Sequence, residues 1–380
     1  MFAGARICKR APAIASSRSM SPSASVRQFA PLLLVPISLA LHYTHAVSPV
    51  WIFLAGLAAI AVLADWVRRG TEQVVEYAGG TIGSLLNVSF GNAAELVLAL
   101  FVLAQAQTQV VQAQITGSII GTTLLFLGIS ALAGGIRHAR QTFSQERVGL
   151  LSTLLLLVAI AILLPAIFDV TERVMAPHAD RIGLDERLSL WVSVVLLLLY
   201  GAHLIYVLVT HRNIFISGTE PGHPAWSLLT GILVMVGGTL VIAAESELVT
   251  TRLAEAASQL GFSPVFMGVV VLALTGTIAD LFASVAFARA DRIEMAVSMC
   301  VGSALQIALV VAPVLVLVSW AIGHPMNLVF GSPLNLFAVA SAAFIVRAIA
   351  ADGETNWYEG FLLIGVYVLF ALAYFFQGEG

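Results

Sequence analysis

The sequence predicts an all-α polytopic membrane protein of about eleven transmembrane helices. Three observations carry that prediction. Of 380 residues, 59% are hydrophobic and only 10% charged, against about 25% charged in a soluble globular protein. The mean hydropathy is +0.97. Apolar runs long enough to cross a bilayer, which takes about 20 residues of helix, recur from end to end.

Taken in order, residues 1–29 carry Arg6, Lys9, Arg10, Arg18 and Arg27 with several serines and no acid. They are expected to form a disordered cytoplasmic tail. A start at Met20 and an Arg- and Ser-rich transit peptide are the other readings of this segment. Apolar spans follow at about 30–44, 49–66, 80–104, 109–134, 148–168, 187–209, 227–246, 264–287, 294–320, 332–350 and 357–376. The first is short, and is expected to be a tilted or partly interfacial peripheral helix within 30–48. The third and eighth each hold one acid, Glu95 and Asp280. Gln112 and Gln114 fall near one end of the fourth span and are expected at its rim. Glu245 and Glu247 end the seventh and are expected to be solvated. Asp352 and Glu354 fall in the turn before the last span, which they are expected to cap or brace. The segment 210–226, with Gly218, Pro221, Gly222 and Pro224, reads as a flexible linker. It divides the chain into a first repeat (49–209) and a second (227–380).

Cation placement orients the bundle. With the N-terminus in the cytoplasm, the cytoplasmic segments hold the five tail cations plus Arg68, Arg69, Arg137, Arg140, Arg147, Arg212, Arg289, Arg292 and Arg347. The other side holds only Arg173, Arg181, Arg187 and Arg252, completing the 18 Lys and Arg. Eleven spans and an N-inside, C-outside orientation support each other. The composition offers no basic tract for nucleic acid. Cys8 and Cys300 form neither a disulfide framework nor a thiolate metal site.

The two acids belong to an internal repeat. Gly91-Asn92-Ala93-Ala94-Glu95 and later Gly117-Ser118 match Gly276-Thr277-Ile278-Ala279-Asp280 and later Gly302-Ser303 at a constant offset of 185 residues. The two motifs lie five spans apart, an odd number, so the copies have opposite orientations. This is the inverted-topology arrangement of secondary transporters, which bring such copies together near the bilayer midplane.

A carboxylate at the bilayer centre costs about 2.5–3.5 kcal/mol on insertion scales, and no Lys or Arg lies in either span core to offset it. A bound cation or a proton is the natural partner. Asn92 and Thr277 stand three residues before the acids, on the same helix face. Gly91 and Gly276 are candidate helix breaks that would free backbone carbonyls. Ser118, Ser303 and Gln306 add hydroxyl and amide oxygens from the following spans. An oxygen-only donor set suits Ca²⁺, whereas softer metals recruit thiolate or imidazole. Two nearby carboxylates cannot both remain ionised cheaply in a poorly solvated site, so cation and protons compete for Glu95 and Asp280. That competition is the expected mechanism of exchange. No resident cofactor is expected; cation and protons are cargo, and the lipid bilayer is the partner. An intramembrane enzyme is disfavoured by the lack of a Gly-x-Ser-x-Gly or His-Glu-x-x-His motif. A passive cation channel is a third class, separable because it needs no counter-ion.

At Gly91-Asn92-Ala93-Ala94-Glu95 the chain resembles the cation/proton exchanger family, the calcium/proton antiporters of the calcium/cation exchanger superfamily. The resemblance extends to Leu85-Leu86-Asn87, Gly117-Ser118-Ile119-Ile120-Gly121, Gln141-Thr142-Phe143, Val301-Gly302-Ser303-Ala304-Leu305-Gln306 and Asp352-Gly353-Glu354-Thr355-Asn356-Trp357. It implies one peripheral helix followed by two inverted five-helix repeats, and Ca²⁺ transport driven by a proton gradient. Glu95 and Asp280 match the family's two essential acids, and Asn92, Ser118, Ser303 and Gln306 its supporting polar groups. The second motif departs from the usual Gly-Asn-Ala-Ala-Glu-His: Thr277 replaces an amide, Asp280 is one methylene short, and Leu281 replaces an imidazole. These departures keep open exchange of Na⁺, K⁺ or Mn²⁺ for protons.

Overall fold

The computed structural model describes residues 29–44, 47–175, 181–210, 225–329 and 332–377. The cationic tail through residue 28 and most of the linker (211–224) lie outside the described residues.

After a 3₁₀ turn at Ala30–Leu33, the helices are α1 (Leu34–Thr44), α2 (Pro49–Ala78), α3 (Gly80–Gly91), α4 (Ala93–Ala104), α5 (Thr108–Gly135), α6 (Gln145–Met175), α7 (Arg181–Ile205), α8 (Leu228–Leu260), α9 (Pro264–Arg289), α10 (Ile293–Ala321), α11 (Pro333–Ile349) and α12 (Trp357–Gln377). Eight of them (α2, α5–α10 and α12) are long and apolar enough to cross a membrane, with shorter apolar helices at Ala30–His42, Ala93–Ala104 and Pro333–Ile349. With α3 and α4 as the two parts of one broken span, these elements fall on the eleven predicted apolar runs.

Helix lengths depart from the apolar runs where charged turns extend them. Helix α2 continues to Ala78 because Asp65 pairs with Arg68 (3.0 Å) and Arg69 (2.6 Å), and Arg68 also pairs with Glu72. These i, i+3 and i, i+4 contacts support helix beyond the hydrophobic core. Helix α8 likewise runs to Leu260, closed by Gly261 in the left-handed region at φ 71°, a common helix stop.

The first helices of the two halves, α2 and α8, pack along each other antiparallel. A Cβ on Gly70 would come 3.1 Å from the Gly231 carbonyl, and one on Gly56 would meet Val249 at 2.7 Å. Small residues let membrane helices approach this closely when no hydrophobic drive separates lipid from protein.

The two ends of the bundle are chemically distinct. One gathers the arginine-bearing loops, where Arg147 pairs with Glu294 (2.9 Å) and Arg140 with Glu354 (3.9 Å). A two-residue antiparallel ladder there joins β1 (Gln141–Thr142) to β2 (Glu354–Thr355). It is extended by the Phe143 N–H donating to Gly353 O at 2.9 Å. Asp352 braces this turn by accepting from the Glu354 N–H at 3.2 Å. The opposite end carries neutral contacts, among them Ser48 to Gln259 (2.9 Å) and Gln112 to the Asn327 carbonyl (2.8 Å), with a single arginine pair, Arg252 to Glu255 (3.1 Å), along α8 among the described residues.

Candidate cation site

The first motif breaks its helix. Helix α3 stops at Gly91, Asn92 adopts φ −109° and ψ 23°, and α4 restarts at Ala93 with Glu95 in its first turn. A helix N-terminus favours negative charge through its unpaired N–H groups and dipole, so the break sets the acid at an electropositive helix end inside the bundle. The second motif differs. Helix α9 runs unbroken through Gly276 to Asp280, with a π-helical stretch at Met267–Leu272 ahead of it. The predicted break at Gly276 is therefore absent. Gly276 serves close approach instead, because a Cβ there would stand 3.0 Å from both Cα and Cβ of Glu95. The missing side chain lets the second motif lie directly against the acid of the first.

Glu95 is 1% exposed, and both carboxylate oxygens are buried without a hydrogen-bond partner. Asp280 is half-buried and within electrostatic range of Glu95. Ser118 is the hydroxyl beside the Glu95 carboxyl and Ser303 the one beside Asp280. Neither hydroxyl closes a well-formed hydrogen bond. Asn92 donates from Nδ2 to Gln306 Oε1 at 2.7 Å, joining the α3–α4 break to α10 by an amide pair. Thr277 is buried and donates its hydroxyl to the Ala273 carbonyl at 2.8 Å. Asn92, Asp280, Ser303 and Gln306 are thus brought together, with Ser118 on the Glu95 side, while the Thr277 hydroxyl is turned back on its own helix.

A cavity of about 190 Å³ reaches this junction, lined by Asn92, Asp280, Ser303 and Gln306 among others. Its wall includes Arg68 and Glu72 of α2, near the arginine-rich end, and Asn87 of α3. Glu95 is not among the lining residues. In this conformation Asp280 faces the cavity and Glu95 lies behind it. On the far side the backbones of α5 and α9 are in contact, since a Cβ on Gly117 would fall 1.9 Å from the Val269 carbonyl oxygen.

Three features of this region differ from the sequence reading or lie beyond it. Arg68 belongs to neither motif span, yet it approaches Asp280 from α2 while held by Asp65 and Glu72. Its spacing to Glu72 was the available signal. Gln114, expected at a rim, is fully buried, with Nε2 donating to the Glu95 carbonyl at 3.3 Å. Glu245, expected to be solvated, is also fully buried, accepting from Ser38 of α1 at 2.5 Å. Because α8 continues for several turns past Glu245, this acid sits within the helix and beneath α1; Glu247 is exposed on the same helix.

A buried carboxylate with no partner is strongly unfavourable, by several kcal/mol in proteins. Such orphaned groups call for a ligand or a proton. The donors gathered here are carboxylate, amide and hydroxyl oxygens. No group of three or more His, Cys, Asp or Glu side chains placed to hold a metal occurs among the described residues. The junction therefore offers two acids with neutral oxygens around them, a composition suited to a hard cation held reversibly.

Comparison with known proteins identifies the family. The family model described as sodium/calcium exchanger protein matches residues 48–209 and 230–376. The chain is 38% identical over 368 residues to a Ca²⁺/H⁺ antiporter of Aphanothece halophytica, covering 92% of this chain and 96% of that one. It is 36% identical over 347 residues to the Ca²⁺/H⁺ antiporter ChaA of Bacillus subtilis, covering 90% and 96%. The solved structure of the Ca²⁺/H⁺ antiporter YfkE superimposes with a TM-score of 0.78 at 32% identity, covering 92% of this chain and 99% of that one. With a match across both halves and a helical bundle that brings two acidic motifs together, the chain belongs to the sodium/calcium exchanger protein family.

Proposed function

We propose that this protein exchanges Ca²⁺ for H⁺ across the membrane by alternating access, with Glu95 and Asp280 binding cation or protons in competition. The observation that carries the reading is Glu95, whose carboxylate oxygens are both buried without a partner and whose Cα and Cβ lie against Gly276 of the opposite motif. A cation satisfies it in one state and a proton in the other, so the site need never be left charged and empty. Asn92, Thr277, Ser118, Ser303 and Gln306 complete the set of neutral oxygens. Ca²⁺ takes six to eight oxygen ligands in flexible geometry, which two acids and several neutral donors from different helices can supply. The names of the relatives favour Ca²⁺ over Na⁺, K⁺ or Mn²⁺ as the exchanged cation.

On this reading residues 49–209 and 227–380 act as the two repeats, and the peripheral helix and the linker 210–226 stand outside the exchange itself. The arginine-rich end is cytoplasmic, the N-terminus lies on that side and the C-terminus on the other, in a bacterial plasma membrane. The Asp280 cavity is then the cytoplasmic access path. No resident cofactor takes part.

Everted vesicles test the proposal. Ca²⁺ should collapse a preformed pH gradient, and Na⁺ or K⁺ should not. Glu95→Gln and Asp280→Asn should each abolish the response while the protein still inserts. The opposite ion ranking, or near-normal exchange in both variants, would overturn it.

A further inference from the structure

We propose that Gln114 is a specificity-determining ligand on the Glu95 side of the site, supplying an amide oxygen to the cation when the path opens toward the end of the bundle away from the arginines. The inference rests on the exchange reading above and extends it to a residue outside both acidic motifs.

Gln114 is fully buried within the bundle. Its amide is used on one side only. Nε2 donates to the Glu95 backbone carbonyl at 3.3 Å, while Oε1 is buried without a donor. Gln114 and Ser118 stand four residues apart on α5, hence on one helix face, and Ser118 is the hydroxyl beside the Glu95 carboxyl. The buried, unpartnered acceptors here are Glu95 Oε1 and Oε2, Gln114 Oε1 and Ser118 Oγ. An amide oxygen buried without a donor costs free energy unless something electropositive visits it. A proton on Glu95 can satisfy only one of these oxygens, whereas a divalent cation can satisfy several.

The repeat explains why this group is shut away. At the offset of 185 residues, Gln114 corresponds to Met299 and Ser118 to Ser303. Met299 and Ser303 line the open cavity beside Asp280. Gln114 and Ser118 hold the equivalent places beside Glu95, on the half now sealed by the Gly117–Val269 backbone contact. Exchanging the roles of the two halves exposes Gln114 to the opposite side of the membrane. The site is therefore asymmetric: an amide guards one face where a thioether guards the other.

The test compares Ca²⁺ activation of exchange in right-side-out and everted proteoliposomes for wild type, Gln114→Met and Gln114→Glu. Met keeps length and loses the hard oxygen; Glu keeps both. Gln114→Met should raise the half-saturating Ca²⁺ concentration about tenfold, the low end for disturbing a metal site's surroundings, on the face away from the arginines only. Gln114→Glu should retain tight activation on that face. Equal shifts on both faces, no shift, or loss in both variants would overturn the proposal. Absence of Ca²⁺/H⁺ exchange in wild type would instead sink the function on which it rests.

Discussion

Replacing Gly276 with alanine separates two ways of reading the same residue. Gly276 lies inside the continuous helix α9, where alanine is intrinsically better than glycine by about 1 kcal/mol. Propensity alone therefore predicts a more stable protein. The packing predicts the reverse. The new methyl carbon would stand 3.0 Å from Cα and Cβ of Glu95 and 3.5 Å from its Cγ, while carbon atoms prefer roughly 3.5–4.0 Å. Relieving that overlap requires α4 and α9 to part by about half an ångström. Overpacking of this kind costs about 1–3 kcal/mol, enough to cancel or exceed the helical gain. The displaced backbone is that of Glu95, so the distance between the two acids changes directly. Gly276→Ala should lower the melting temperature of the purified protein and weaken Ca²⁺ activation by about tenfold, as expected when a positioned group moves by a sizeable fraction of an ångström. Gly365→Ala provides the control: nothing lies within 4 Å of its Cβ position, so the variant should gain stability and exchange normally. If Gly276→Ala behaves like Gly365→Ala in both readouts, the tight apposition of the two motifs is wrong.

The remaining predictions concern the surroundings of the site. Gly117→Ala would place a methyl 1.9 Å from the Val269 carbonyl oxygen and 2.6 Å from its carbonyl carbon; it should prevent stable assembly, seen as loss of monodisperse protein in detergent. Arg68→Gln removes a cation from the wall of the Asp280 cavity and should lower the half-saturating Ca²⁺ concentration on the arginine-rich face by roughly two- to fivefold. That corresponds to ~0.4–1 kcal/mol of screened repulsion, so the difference should shrink in high salt. Ser38→Ala leaves buried Glu245 without its 2.5 Å hydrogen bond and should reduce stability by about 1–3 kcal/mol, the cost of leaving a buried polar group unsatisfied. Glu245→Gln, able to keep that bond, should be tolerated in the same thermal assay.

Span positions and the two acids were legible in the sequence because each leaves a one-dimensional signal. Apolar runs mark the spans, and a charge inside such a run stands out at once. The repeat was legible because Glu95 and Asp280 recur with Ser118 and Ser303 at one offset. What escaped was set by contacts between helices. Glu245 follows an apolar run, and only the continuation of α8 beneath α1 buries it. Gln114 lies near a predicted span end, and only the packing of α5 beside α4 places it next to Glu95. Gly276 looked like Gly91, but the two do different work: one precedes a helix break and the other makes room for a neighbouring acid. The ladder between Gln141–Thr142 and Glu354–Thr355 joins segments more than two hundred residues apart, beyond the reach of any local pattern.

The central claim is that one pair of intramembrane acids, Glu95 and Asp280, holds either cation or protons. Proton release on Ca²⁺ addition tests it most directly, measured with a pH dye on purified protein in weakly buffered detergent solution. Wild type should acidify the medium in proportion to Ca²⁺ bound, and the Glu95→Gln, Asp280→Asn double variant should release nothing. Ca²⁺ binding without acidification in wild type, or undiminished release from the double variant, would contradict the account.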